Sequence, residues 1–398
     1  MDKTHNTPKQ EKSLGVYLKI GFGALLVFLG SLGVYTYFGG KNVEVAYTIE
    51  TGKWQTRAQE CYAKVDVEIS GCIINLVGTV ADSGDVGAAV AVLEQSMGKS
   101  QDIVGKCHNA AHVIGRTAVR LGGTLTRVYE MPFSDCRFGL YHGALEEHTT
   151  PMNRAELLEN LNDLCAYFGG ESSAATQECV HVLGHFVFDR SGDDISKAVS
   201  DCAAFVEPTL RSRCVDGTLM QATDVVRASV GKPADTERSE KIWGTDRKYQ
   251  TKLLTSICEN MDIETVKYVC YTNAPQTLSV LWDADYPQIH KYCATTTVRQ
   301  ACYEGIAASG FTVYSWDPEK ITKACYAGTS DGAKACINSM AFSYSIVSGE
   351  EGSRDVCKFV TDEHQGICLE GKRRGLGAAG TIVQNQIDAR EDYKVFNK

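Results

Sequence analysis

The sequence predicts an all-α fold, an α-solenoid of stacked helical hairpins with disulfides inside the repeats, preceded by one transmembrane helix. Three observations lead to this prediction. A charge-free stretch lies near the N-terminus, the sixteen cysteines fall almost entirely into close couples, and the couples recur with a period of about 33 residues. Only eight prolines interrupt the 398 residues, and no strand-like alternation recurs, so helices explain the pattern best.

The first element is a membrane anchor. Residues 20–38 carry no charge, and at about 1.5 Å per residue they match the hydrocarbon thickness of a bilayer. We therefore expect a cytoplasmic tail over residues 1–14, an anchor over 15–39 and a linker over 40–55. A cleaved signal peptide is the alternative, but the stretch is longer than a typical signal core and no A-x-A site follows. Lysines concentrate on the N-terminal side, which places the N-terminus in the cytoplasm; they are Lys3, Lys9, Lys12 and Lys19, against Lys41 after the stretch.

The cysteines predict disulfides and an oxidising compartment. They form an even set downstream of an export signal, and the C-x2-C pairs that zinc modules usually contain are missing from the sequence. The domain that follows the anchor is therefore expected to be periplasmic or extracellular. Seven couples are expected to pair internally, and the two remaining cysteines are expected to pair with each other. The predicted bridges are Cys61–Cys72, Cys165–Cys179, Cys202–Cys214, Cys258–Cys270, Cys293–Cys302, Cys325–Cys336, Cys357–Cys368 and Cys107–Cys136.

The cysteine couples also predict the repeat. Successive second cysteines at 270, 302, 336 and 368 are 32, 34 and 32 residues apart, which suits two short helices and their turns. A bridge over so short a loop stabilises a hairpin by roughly 2 to 4 kcal/mol. A small or short polar residue usually lies three positions after the second cysteine, which lets neighbouring helices pack closely. We expect N-terminal repeats over 56–228, an insertion loop over 229–249, C-terminal repeats over 250–380 and a tail over 381–398.

Two segments carry a resemblance to known repeat proteins. CAAFVEPTLRSRCVDG, from Cys202, and CATTTVRQACYEG, from Cys293, resemble the disulfide-stapled helical hairpins of Sel1-like and tetratricopeptide-like proteins. The resemblance is architectural and covers about residues 165–371. It implies an α-solenoid that binds a peptide or protein, and it provides no catalytic residues.

A histidine cluster in the N-terminal repeats predicts a metal site. CHNAAH, from Cys107, and CVHVLGH, from Cys179, each hold two histidines four residues apart, and YHGALEEH, from Tyr141, pairs His142 with Glu146 in the same way. Residues four apart lie one above the other on a helix, so each pair can offer two ligands to one ion. The alternative is that these histidines are ordinary polar or core residues. The predicted ligands are His108, His112, His142, His181, His185 and Glu146, whereas His148 is expected to face elsewhere.

Imidazole and carboxylate ligands suit zinc, iron, manganese or copper as the divalent cofactor. With an open coordination position, Glu146, Glu147 or Asp216 could act as the base of a hydrolase, and two ions would permit redox chemistry. The sequence lacks H-E-x-x-H and C-x-x-C-H motifs, which argues against a metalloprotease and attached haem. Two functions therefore fit. One is a metal-binding protein with or without a reaction, and the other is a scaffold whose concave surface binds a peptide or envelope protein.

The remaining features exclude other functions. The net charge is −9 and no long basic run is present, so nucleic acid is not an expected partner. The matches GTSDG at 328–332 and GLGAAG at 375–380 do not follow the strands that nucleophile elbows and dinucleotide sites require. The oligomeric state is left open by the sequence.

Overall fold

The structure is a computed structural model, and it describes residues 52–64, 66–97, 101–129, 131, 136–170, 173–226, 235–314 and 316–378. The predicted cytoplasmic tail, anchor and C-terminal tail lie outside the described residues, so the anchor stays a prediction. Within the described ranges, no helix is long and apolar enough to cross a membrane.

Every regular element in these ranges is helical, as the sequence predicts. Long and short helices alternate along most of the chain, and two short 3-10 turns follow the seventh and ninth helices. The helices are α1 (Gly52–Tyr62), α2 (Asp66–Asp82), α3 (Val86–Met97), α4 (Gln101–Arg120), α5 (Leu125–Tyr129), α6 (Arg137–Thr149), α7 (Arg154–Leu164), α8 (Ala174–Arg190), α9 (Ile195–Asp201), α10 (Pro208–Asp224), α11 (Thr236–Trp243), α12 (Arg247–Glu259), α13 (Glu264–Leu281), α14 (Tyr286–Thr295), α15 (Arg299–Val313), α16 (Pro318–Cys325), α17 (Ser330–Gly352) and α18 (362–378).

Short polar side chains fix where several helices begin. Asn153 caps α7, and Glu156 reaches back to the backbone amide of Asn153, which completes a capping box. Asp194 caps α9 by accepting from the amide of Lys197, and Asp317 caps α16, with Pro318 in the first turn. These side chains satisfy amides that a helix start leaves unpaired, so the sequence sets the starts locally.

The helix row consists of α2, α4, α6, α8, α10, α13, α15 and α17, each of which packs against the next. Short helices such as α3, α9, α14 and α16 pack against this row. The buried side chains form two main apolar clusters, one drawn from residues 54–144 and one from 145–368. The core therefore runs along the row, as expected of stacked hairpins.

All sixteen cysteines form the predicted disulfides, and none is free. In six of the seven couples, the first cysteine lies at or just after the end of a helix, and in all seven the second lies in the first two turns of the following long helix. The exception is Cys357, which lies in the turn that follows α17. Cys107–Cys136 instead joins α4 to the residue that precedes α6. The predicted staple between a helix and the start of its partner is confirmed.

Glycines divide the helix row into pairs, which is a refinement of the predicted repeat. The position three residues after the cysteine is glycine on every second long helix, at Gly139, Gly217, Gly305 and Gly371. A β-carbon there would lie 1.9 to 2.6 Å from a backbone carbonyl oxygen of the preceding long helix. The structural unit is therefore two consecutive long helices in backbone contact. These units are α4–α6, α8–α10 and α13–α15 within the row, and α17–α18, in which α18 follows the last helix of the row.

The predicted insertion loop over 229–249 is corrected in part. Residues 236–243 form α11, and its last residue, Trp243, is fully buried and donates from Nε1 to the carbonyl of Ala222 at 2.9 Å. Arg238 forms ion pairs with Asp189 at 3.0 Å and Asp193 at 2.7 Å. The segment was predicted to be a loop because most of its residues are polar. It contains one apolar turn, Ile242–Trp243, and burial of that turn holds α11 against the helix row. Residues 227–234 lie outside the described residues.

Candidate metal centre

The structure brings all five predicted histidines together. His108 and His112 lie on α4, His142 lies on α6, and His181 and His185 lie on α8. Three consecutive members of the helix row therefore contribute, as the sequence predicts. The distances between ring centres are 6.3 Å for His108–His112, 5.5 Å for His108–His142, 4.7 Å for His112–His142, 5.2 Å for His142–His185 and 4.9 Å for His181–His185.

Glycines opposite the histidine backbones make this proximity possible. A β-carbon on Gly143 would lie 1.9 Å from the carbonyl oxygen of His112, and one on Gly217 would lie 1.9 Å from that of His181. Only glycine lets the helix backbones approach so closely. Sequence reasoning found Gly217 from its spacing to a cysteine but missed Gly143, whose signal was its position one residue after His142.

His181 is held by a buried ionic network. Its Nδ1 lies 2.9 Å from Oδ2 of Asp216, and Asp216 accepts from Arg213 at 2.8 Å. Arg213 also donates to Glu178 at 2.7 Å and to the carbonyl of Gln177 at 3.3 Å. Asp216 was predicted to be a catalytic base, but here its carboxylate is already bonded to two cationic or polar partners. These contacts hold the ring of His181 in one orientation.

The hydrogen-bond directions between His181 and His185 follow from this network when both rings are neutral. Asp216 accepts a hydrogen bond from Nδ1–H of His181, which leaves Nε2 of a neutral His181 as an acceptor. Nε2 of His185 lies 3.1 Å from that atom, so in this arrangement His185 donates. The two rings therefore form a short chain that leads from Asp216 toward His142.

A second carboxylate contacts the other end of the cluster. Oε2 of Glu146 lies 3.1 Å from Nε2 of His112 and accepts from Arg116 at 2.7 Å. Arg116 also lies 3.1 Å from Nδ1 of His112. Sequence reasoning missed Arg116, although its position four residues after His112 was a signal. Glu147 lies partly exposed on the same helix, and no described contact brings it to the histidines.

Burial favours the neutral form of four of the five rings. Burial, followed by the charge of His181, lowers the pKa of His108 to about 4. Burial, Arg116 and His108 lower the pKa of His112 to about 3. Burial and neighbouring imidazoles also hold the pKa values of His142 and His185 well below 6.5. Neutral imidazole is the form that binds metals.

The carboxylate of Asp216 stays ionised. Burial alone would raise the pKa of Asp216, but the charge and hydrogen bond of His181, followed by those of Arg213, lower it to about 2. Glu178 and Asp216 together carry two negative charges against the single positive charge of Arg213. This network keeps one negative charge only while His181 is neutral, and a protonated His181 balances it.

The donor atoms do not point at a common centre in this conformation. Among the described residues, no three histidine, cysteine, aspartate or glutamate side chains are placed to hold a metal ion together. A cavity beside His142, lined also by Tyr129, Tyr141 and Phe168, has a volume of about 10 Å³, which is at the lower limit for one water molecule. The rings are thus close together but are not arranged as a finished coordination shell.

Comparisons with known proteins identify no relative. No family model matches the chain, no curated protein is significantly similar to it, and no solved structure matches it. The all-helical, disulfide-rich repeat architecture is shown by the structure, whereas membership of the Sel1-like or tetratricopeptide-like families is not supported by any match.

Proposed function

We propose that this protein binds a divalent transition-metal ion through His108, His112 and His142, with Glu146 and His185 adjoining the site. One observation carries the proposal, namely that these three rings from two helices have their centres 4.7, 5.5 and 6.3 Å apart. Two imidazoles that bind one tetrahedral ion at about 2.0 to 2.1 Å have ring centres about 5 Å apart. The ring positions therefore suit shared coordination.

Rotation of the rings would complete the site. The Cβ–Cγ bond of histidine points almost at the ring centre, so turning the ring about this bond redirects both nitrogens while the centre hardly moves. This torsion has a broad energy profile. The neutral rings of His108, His112, His142 and His185 support the binding of a cation. Imidazole donors suit zinc, copper and iron better than manganese.

A metal titration of the full-length protein tests this proposal. We expect one Zn²⁺ or Cu²⁺ ion per chain after removal of loosely bound metal, measured by elemental analysis and calorimetry. His142→Gln should abolish binding because His142 is the ring closest to the others. His148→Gln is the matched control, since it changes the same residue type on the same helix. A wild-type protein that takes up neither ion would overturn the proposal and favour the scaffold function.

We further propose that residues 15–39 anchor the chain and that the helices lie on the periplasmic or extracellular side. The support is that all sixteen cysteines form disulfides, which persist in oxidising compartments. Protease added to sealed right-side-out vesicles should digest the C-terminal repeats, whereas inside-out vesicles should protect them. The opposite pattern would contradict this orientation.

A further inference from the structure

We propose that Arg116 competes with the metal ion for His112 and Glu146 and thereby sets the affinity of the site. This inference rests on the proposed function above. Arg116 lies on α4, one turn after His112, and its Nη2 atom reaches both residues. Among the described side chains, no cation other than Arg116 contacts His112 or Glu146.

The competition follows from the hydrogen-bonding chemistry of the three groups. A guanidinium has only donors, so Nδ1 of His112 must accept from Arg116 with its lone pair. Nε2 of the neutral ring then carries the proton and lies 3.1 Å from Oε2 of Glu146. The lone pair of Nδ1 is therefore occupied by Arg116. An ion can bind Nδ1 only if Arg116 leaves it, and Glu146 can bind the ion freely only if the same arginine releases its carboxylate.

Arg116 is placed so that it can leave. Its side chain is 40% exposed and that of Glu146 is 35% exposed, so solvent is within reach of the pair. The Nε atom of Arg116 is buried without a hydrogen-bond partner, and movement toward solvent would give it one. Arg213, the other arginine of the cluster, differs because its side chain is only 1% exposed and is hydrogen-bonded to two carboxylates.

Arg116→Gln should therefore raise the affinity for Zn²⁺ by about tenfold, the effect of removing one charge-assisted hydrogen bond from a competing partner. Arg116→Lys keeps the charge but loses the planar fork, and it should fall between the wild type and Arg116→Gln. Arg120→Gln is the matched control. It removes the same charge one turn further along α4, where the arginine pairs with Asp82 instead, and it should leave the affinity almost unchanged.

The measurements are zinc calorimetry on the four full-length proteins and circular dichroism to show that each is folded. Tighter binding by Arg116→Gln, with Arg120→Gln like the wild type, supports the inference. If Arg116→Gln binds zinc as the wild type does or more weakly, the inference is overturned while the metal site stands. If neither the wild type nor any variant binds zinc, the proposed function itself fails. Equal gains in Arg116→Gln and Arg120→Gln would show a general charge effect and would also overturn the competition.

Discussion

The pairs α8–α10 and α13–α15 share one backbone arrangement but differ in their chemistry. In both pairs, a glycine three residues after a cysteine lies against a carbonyl of the preceding helix, at Gly217 and Gly305. In both, the residue two positions after that cysteine is acidic, Asp216 in the first pair and Glu304 in the second. The scaffold is therefore repeated, and the facing side chains decide what each pair can do.

The two carboxylates show how much their partners matter. Asp216 faces His181 and Arg213, which lower its pKa to about 2 despite burial. Glu304 accepts from the hydroxyl of Tyr268 at 2.5 Å and from the amide of Gln300 at 2.9 Å. Burial dominates there and raises the pKa of Glu304. An arginine and an imidazole that are hydrogen-bonded to Asp216 outweigh its burial, whereas the neutral donors and the charge of Arg374 do not outweigh the burial of Glu304.

The largest expected effect comes from filling the glycine contacts. Gly217→Ala would place a β-carbon 1.9 Å from the carbonyl oxygen of His181, and Gly305→Ala would place one 2.1 Å from that of Thr272. Each should destabilise its own pair by about 3 kcal/mol or more, because backbone atoms must move. Hydrogen-exchange mass spectrometry should show lost protection in the mutated pair.

Of these two variants, only Gly217→Ala should also impair metal binding, because its pair holds His181 and His185, and His185 adjoins the proposed site. Gly87→Ala on α3 is the control, because nothing lies within 4 Å of its β-carbon position, and it should be neutral or slightly stabilising. Unchanged protection in both glycine variants would show that the backbone contacts are not required.

A smaller difference between the two halves should appear with pH. Four histidines of the N-terminal cluster have pKa values below the ordinary 6.5, so the unfolded chain binds protons that the folded chain excludes. Stability is therefore full above pH 6.5 and falls as the pH drops toward about 4, the pKa of His108. Within this range, the free energy of unfolding falls by about 1.4 kcal/mol per pH unit for each such histidine.

Hydrogen exchange at pH 7 and pH 5 with a chelator present, after correction for the intrinsic exchange rate, should measure this difference. Protection of α4, α6 and α8 should fall more than that of α13 and α15. In the C-terminal repeats, burial also lowers the pKa of His290, so that half should respond weakly rather than not at all. Equal losses in both halves would contradict the assignment of acid sensitivity to the cluster.

The smallest expected effect is on zinc affinity, when the carboxylate of Asp216 or of Glu304 is replaced by an amide. Asp216→Asn should weaken zinc binding by at most about 10-fold, because Asp216 reaches the proposed site only through His181 and the adjoining His185, whereas loss of a carboxylate directly behind a histidine ligand typically costs 10- to 100-fold. Glu304→Gln makes the same change at the equivalent position and should leave zinc affinity unaltered. Calorimetry should measure the zinc affinity of both variants. If the two variants bind zinc equally tightly, Asp216 does not act through His181.

The sequence alone determined the architecture to a large extent. Couples such as Cys293–Cys302 predicted the staples and the repeat, because a short loop between two cysteines brings a helix end close to the next helix start. HxxxH spacing predicted that His108 and His112 share a helix face. Both are local properties, because they depend only on the spacing of residues along the sequence.

Tertiary structure decided the rest. Glycine contacts occur on alternate helices, and Trp243 fixes a helix in a mostly polar segment. Arg116 and Arg213 also reach Glu146 and Glu178 on neighbouring helices. Each of these contacts joins residues 20 or more positions apart. The sequence therefore determined which helices could present histidines. Only the packing of α4, α6, α8 and α10 determined which nitrogens are free, because hydrogen bonds between helices fix the ring orientations.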